Sequence, residues 1–140
     1  MATDVIVDSS VIVALATLEK YSEWASKAMR EHEYFHVLDL SFYEVASAIK
    51  QKVTKGLEPE DAVLAYKQAE KMMNLYAIHS FSEVTFEALR KALELEITVY
   101  DAAFLSLAEK IDAPLLTLDI RLAEKLERTK YSDLIQCPAK

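Results

Sequence analysis

The chain has one cysteine, Cys137, so no disulfide can close within it and no thiolate cluster can hold zinc. A reducing cytoplasm is the compartment this favours. No segment reaches the roughly 18 uncharged apolar residues of a membrane-spanning helix, and Met1-Ala-Thr-Asp lacks the basic-then-apolar start of a leader. The expectation is a soluble, unprocessed protein with no membrane partner. Glycine occurs once, at Gly56, and asparagine once, at Asn74, beside abundant Lys and Glu; that balance leans toward a heat-adapted source. Positive charge is also scarce. A formal net charge of -7 argues against a protein that coats nucleic acid through a broad basic surface. It leaves room for an enzyme with an acidic metal centre, because bound cations reverse the local field. Two small basic groups, Lys50/Lys52/Lys55 and Arg121/Lys125/Arg128, read mainly as solvated faces near helix C-termini.

What is present is a 140-residue chain, 52% apolar, large enough to close a real core as one domain over residues 1–140. Short β-branched or leucine-rich runs alternate with segments of helical period. Strands are predicted at Val5–Val7, Phe35–Leu38, Tyr76–Ile78, Pro114–Leu118 and Leu134–Gln136. Helices are predicted from Ser9 or Ser10 to Leu18, Tyr21 to Glu31, Ser41 to Lys55, Leu57 to Met73, Ser82 to Leu93, Tyr100 to Lys110 and Ile120 to Arg128. Ser41 is the expected N-cap of its helix, with Glu44 three residues on as the acidic member of a capping box, and Gly56 is the stop signal. Strands separated by helices imply an α/β fold whose parallel sheet is covered on both faces. Tyr66–Tyr76 carries more apolar residues than one helix face needs, and core is the default reading.

Four acidic residues stand at the ends of apolar runs: Asp8, Glu44, Asp101 and Asp119. In open parallel sheets the ligand crevice lies beyond the carboxyl ends of the strands, where the chain switches direction. Asp8 and Asp119 fall at such ends by pattern, and Glu44 and Asp101 in the first turns of following helices, so all four are expected to converge. Carboxylates gathered in one cleft repel each other, and a hard oxygen-seeking cation such as Mg2+ or Mn2+ is the expected occupant. No histidine or cysteine set competes. His32, His36 and His79 are read as surface or core residues.

The segments Val5-Ile-Val-Asp8-Ser-Ser-Val-Ile, Tyr43-Glu44-Val-Ala-Ser-Ala-Ile, Tyr100-Asp101-Ala-Ala-Phe-Leu-Ser-Leu-Ala and Leu115-Leu-Thr-Leu-Asp119-Ile-Arg-Leu-Ala resemble the four motifs of PIN domains. Each is weak alone. Together they occur in the family's order across nearly the whole chain, and the small single-domain form most resembles the VapC-type toxins of toxin–antitoxin pairs. The resemblance implies a PIN-like three-layer α/β/α fold with about five parallel strands and a metal-dependent endoribonuclease. Asp8 and Asp101 match the family's best metal ligands. Glu44 and Asp119 match its remaining acidic positions, one binding metal through water or orienting the attacking water. Ser9 and Thr117 match hydroxyl positions that support the site or meet substrate. Where the family often has proline or threonine, this chain has Leu38-Asp39-Leu40, with Asp39 read as a turn residue. The resemblance also implies a homodimer and a small antitoxin lying in a groove over the acidic site, a basic side chain taking the cation's place. The inferred reaction is phosphodiester hydrolysis by metal-activated water, with Arg121 as the candidate contact to the substrate phosphate.

Three rivals are weaker. A phosphoacceptor receiver needs a further early acidic pair and a lysine after a late strand, where Ile120-Arg121 stands. A phosphatase with a nucleophilic aspartate needs a second Asp where Ser10 stands. A catalytically silent RNA-binding or scaffold version of the same fold retains all the features above.

Overall fold

The protein, described here for residues 3–138 of a computed structural model, starts with a strand that is fully buried along most of its length. This strand, β1 (Asp4–Val7), reads as a continuous apolar run because both of its faces are covered. Val5 and Val7 pack among α1 (Ser9–Ala16), α2 (Ser22–Met29), α3 (Leu40–Val53) and α4 (Pro59–Met73). Ile6 points to the opposite core, built on α5 (Thr85–Leu95), α6 (Val99–Ile111) and α7 (Ile120–Leu126). Period-2 alternation thus divides one strand between two cores and produces the three layers.

With β2 (Tyr34–Leu38), β3 (Ala77–His79), β4 (Leu115–Leu116) and β5 (Ile135–Gln136), the sheet is parallel throughout, in the order β3-β2-β1-β4-β5. The chain winds outward from β1 through β2 to β3, then returns to the other side of β1 as β4. That reversal makes the β1–β4 junction the switch point of the sheet, where the crevice opens beyond the strand ends.

The predicted elements are present with shifted ends. The first helix stops at Ala16, leaving Leu18 96% exposed. Where one helix was expected from Ser82, a 3-10 turn over Phe81–Glu83 precedes α5. Gly56, at φ 115, occupies the left-handed region just beyond α3, as a stop signal should. Ser41 is not a cap: Asp39 holds that position without a side-chain cap bond, and Ser41 is a buried helical residue. Asp39 serves the turn, accepting the Phe81 amide at 3.0 Å and donating its own amide to His79 at 2.8 Å. The strand β4 is shorter than Pro114–Leu118: the Thr117 amide still donates to the Gln136 carbonyl of β5 at 3.0 Å, but beyond it hydroxyls take the amides, Leu118 N–H donating to Ser10 Oγ and Asp119 N–H to Thr117 Oγ1, each at 3.0 Å.

His36 and His79 do not act as isolated fillers. His36 Nε2 lies 2.7 Å from Asp4 Oδ1 and its Nδ1 lies 3.0 Å from His79 Nε2, a polar chain crossing β1, β2 and β3. Of the Tyr66–Tyr76 segment, Ala69 and Met73 enter the core, whereas Leu75 is exposed.

α6 is buried on every side from Ala102 to Ala108 and meets solvent only toward its ends. A helix apolar all round belongs in an interior, and this one fixes whatever stands at its N-terminus. Phe104, 1% exposed, is its largest core side chain. Phe104→Ala is expected to cost about 3–5 kcal/mol, seen as a lower urea midpoint with an unchanged slope.

Candidate active site

Asp8 is the N-cap of α1, immediately beyond β1. Its Oδ1 accepts the Ser9 amide at 2.9 Å, while its Oδ2 accepts two hydroxyls, Ser10 Oγ at 2.7 Å and Thr117 Oγ1 at 2.8 Å. Ser10 and Thr117 each work twice, since their oxygens also accept the amides of Leu118 and Asp119. The β1–α1 turn and the β4–α7 turn are thereby tied together around one carboxylate. Asp119 caps α7, accepting the Leu122 amide at 3.1 Å. Asp101 sits in the first turn of α6, where Thr98 Oγ1 accepts its amide at 3.0 Å. Glu44 lies in the second turn of α3 rather than the first, and it closes no capping box. Its Oε1 accepts a short hydrogen bond from Ser9 Oγ, and the Tyr100 hydroxyl also bonds to it.

Asp8, Glu44 and Asp101 each feel a neighbouring carboxylate. Burial, helped by Asp119, pushes the Asp8 carboxyl up against three hydrogen bonds that oppose the shift. Asp101 is raised by burial first, then by Asp8 and Asp119. Glu44 is pushed up to about 7, by burial first and then by Asp8 and Asp101, with the Ser9 and Tyr100 hydroxyls opposing. These are the signs of a negative cluster short of compensating charge.

The other sequence-predicted residues divide differently. Thr117 is fully buried and Ser9 is 5% exposed, so neither reaches substrate; both hold carboxylates in place. Arg121 is exposed on α7 and in no ion pair among the described residues. Two contributors went unrecognised in the sequence. Ser10, read as a possible helix start and as the residue where a phosphatase needs a second aspartate, bridges two turns, and Tyr100, read as part of a motif, bonds Glu44. Residue type at Ser10 carried no signal for a partner 108 positions away.

The donor set is carboxylate and hydroxyl oxygen, the chemistry a hard divalent cation takes. Among the described residues, however, no three acidic, histidine or cysteine side chains are gathered tightly enough to constitute a metal-binding group as they stand. The fit is therefore one of charge and donor type, with water expected to complete any shell.

An open parallel sheet, two aspartates at strand ends, two further acidic residues on α3 and α6, and a buried helix anchoring one of them define a nuclease-like acidic α/β site. The chain belongs to the PIN domain family, whose profile matches residues 5–127. It is 42% identical over 123 residues to Ribonuclease VapC3 of Pyrobaculum aerophilum, covering 86% of this chain and 92% of that protein. It is 28% identical over 125 residues to Exonuclease VapC9 of the same organism, covering 89% and 87%. A toxin–antitoxin complex from Klebsiella pneumoniae shares the fold at a TM-score of 0.69 and 13% identity, covering 96% of this chain and 97% of that one.

Linkage gives the site a pH signature. The folded state holds a proton on Glu44 up to about 7, against 4.5 ordinarily, so its contribution to stability is full below 4.5 and lost as pH rises through 7. Asp8 and Asp101 act in the same direction. In EDTA, melting temperature should be higher near pH 5 than near pH 8, and Glu44→Gln should narrow the gap. An unchanged gap would remove Glu44 as a source.

Proposed function

We propose that the chain is a divalent-metal-dependent endoribonuclease, the toxin of a toxin–antitoxin pair, acting in the cytoplasm as one PIN-domain unit over residues 1–140. The observation that carries this reading is that Asp8, Glu44 and Asp101 are all raised, by burial first and by neighbouring carboxylates in addition, a strain that a cation would relieve. The 42% identity to a protein named a ribonuclease supports RNA as the substrate class.

Asp8 and Asp101 would hold Mg2+ or Mn2+ directly, with Glu44 and Asp119 acting through water. The ion supplies an activated water and charge stabilisation at the phosphate. The protein's own part is positional. Ser10 and Thr117 fix Asp8, α6 fixes Asp101, and Ser9 with Tyr100 holds Glu44, which would orient the attacking water. Preorganised groups of this kind lower the barrier without reorganising during the reaction.

The proposed antitoxin has a groove to occupy. Between α3 and α4 an apolar cavity of about 650 Å³ is lined by Ala46, Ile49, Val53, Pro59, Val63 and Tyr66, beginning two residues beyond Glu44. The exposed Phe86, Leu89 and Leu93, on one face of α5, support self-association as a homodimer. Among the described residues no helix is long and apolar enough to cross a membrane, and the only cysteine is free and buried, which supports the cytoplasmic assignment.

The relative named as an exonuclease favours one second reading, trimming from an end. A circular RNA separates the two, since only an endonuclease opens it. Asp8→Asn and Asp101→Asn should each reduce Mn2+-dependent cleavage of that circle at least about a hundredfold, while leaving far-ultraviolet circular dichroism unchanged. Intact circle with wild-type protein beside degraded linear RNA would replace the endonuclease assignment with the exonuclease one. Mn2+ should also raise the wild-type melting temperature more than that of Asp8→Asn; equal shifts would place the ion elsewhere.

A further inference from the structure

We propose that the cleft between α5 and α6, at the far end of α6 from Asp101, binds a phosphate group, free or carried by a nucleotide, against Lys91 and Ser106; this stands apart from the nuclease reading. Two cavities open there, of about 230 Å³ and about 570 Å³, and Glu87, Lys91 and Glu109 stand in the walls of both. Ser106 lines the smaller one, Lys130 and Tyr131 the larger. Glu109 lies near the last turn of α6, about 12 Å along the helix axis from Asp101. On α5, Glu87, Lys91 and Glu94 lie about a third of a turn round the helix from Phe86 and Leu89, so the apolar face of that helix is a different surface.

Two buried polar groups share the smaller cavity. Lysine is almost never fully buried unless paired, and the Lys91 side chain is only 6% exposed. Its ammonium carries three N–H donors; Glu109 Oε1 at 2.7 Å answers one, and the Tyr131 ring centre lies 5.8 Å from the same nitrogen. Ser106, 4% exposed, has its Oγ buried with no hydrogen-bond partner. A buried hydroxyl left unanswered is costly, and in a folded protein it marks a missing partner. An ammonium and a hydroxyl facing one small space are completed by a group rich in acceptor oxygens and negative in charge. The carboxylates of that cavity do not meet such a group bare, since each already has a cation: Glu83 has Lys110 at 3.1 Å, Glu87 has Arg90 at 3.3 Å and Glu109 has Lys91. In the larger cavity Glu94 is the remaining acid, opposed by Lys130, which is in no ion pair among the described residues and holds its ammonium 5.2 Å from the Tyr131 ring centre. The smaller space suits a phosphate group, and the larger has room for a nucleoside attached to it.

The test is isothermal titration calorimetry of the full chain, stripped of metal so that no cation bridges phosphate to the carboxylates. Inorganic phosphate is the ligand in one arm and adenosine 5′-monophosphate in the other. Both should bind saturably, and adenosine should not. Tighter binding of the nucleotide makes a nucleotide the source of the phosphate group, and equal constants make it the free ion. Ser106→Ala should raise Kd roughly tenfold, with a ligand-free melting temperature at or above wild type because a hydroxyl without a partner has been removed. Lys91→Met should raise Kd at least about thirtyfold, and Glu109→Gln should lower it by releasing the ammonium. Asp8→Asn should bind as wild type does, whatever becomes of the nuclease reading. Absence of binding by wild type, an unchanged Kd in Ser106→Ala, or a raised one in Glu109→Gln would overturn the proposal and leave Lys91 as a clamp between α5 and α6. Loss of binding in Asp8→Asn would overturn it as well, by moving the phosphate to the carboxylate cluster.

Discussion

The two hydroxyls that converge on Asp8 Oδ2 are the contact on which the rest of the site depends. Ser10 comes from the turn after β1 and Thr117 from the turn after β4, and each also receives an amide from the β4–α7 connection. One carboxylate thus sets where two strands end and where two helices begin. A half-buried carboxylate with two hydroxyls and one amide is tolerable but still pushed toward its neutral form. The same contacts that hold Asp8 therefore keep it in need of positive charge. Structure and function share a cause here, since the frame that closes the β1–β4 junction also concentrates negative potential there.

Around that junction the remaining carboxylates are placed by different devices. Asp119 is held by helix capping, and Asp101 by a helix buried on all sides, which leaves it little freedom to shift. Glu44 stands inside α3, its carboxylate held by the Ser9 and Tyr100 hydroxyls, and is the group pushed up to about 7. A chain of net charge -7 can then work on a polyanion if a few cations at the rim offset the centre.

Much of the fold was legible because its signals are periodic. The apolar run Val5–Val7, the helix expected from Tyr100 to Lys110 and the stop at Gly56 each follow from local chemistry and appear where expected, the helix with slightly shifted ends. The order of the four acidic positions led to the expectation of one crevice; Asp8 and Asp119 do stand at strand ends, and Asp8, Glu44 and Asp101 each feel a neighbouring carboxylate. Side-chain partnership was not legible. Ser41 and Glu44 have the spacing of a capping box, yet tertiary packing buries the serine and gives the glutamate to Ser9 and Tyr100. Thr117 was read as a residue that supports the site or meets substrate, and its complete burial leaves only support. His36 and His79, distant in sequence, meet because β2 and β3 pair in register. The end of β4 was missed for the same reason, as the distant Ser10 hydroxyl captures the Leu118 amide that a strand would otherwise use.

The central claim, that Asp8 and Asp101 are direct ligands of one divalent ion at the β1–β4 junction, is tested most directly by a crystal structure grown with Mn2+ and read by anomalous diffraction. The predicted result is an anomalous peak within coordination distance of oxygens from both aspartates, roughly 2.0–2.3 Å, with water and one of Glu44 or Asp119 nearby. Manganese bound elsewhere, with Asp8 still held by Ser10 and Thr117 and no density between it and Asp101, would contradict it.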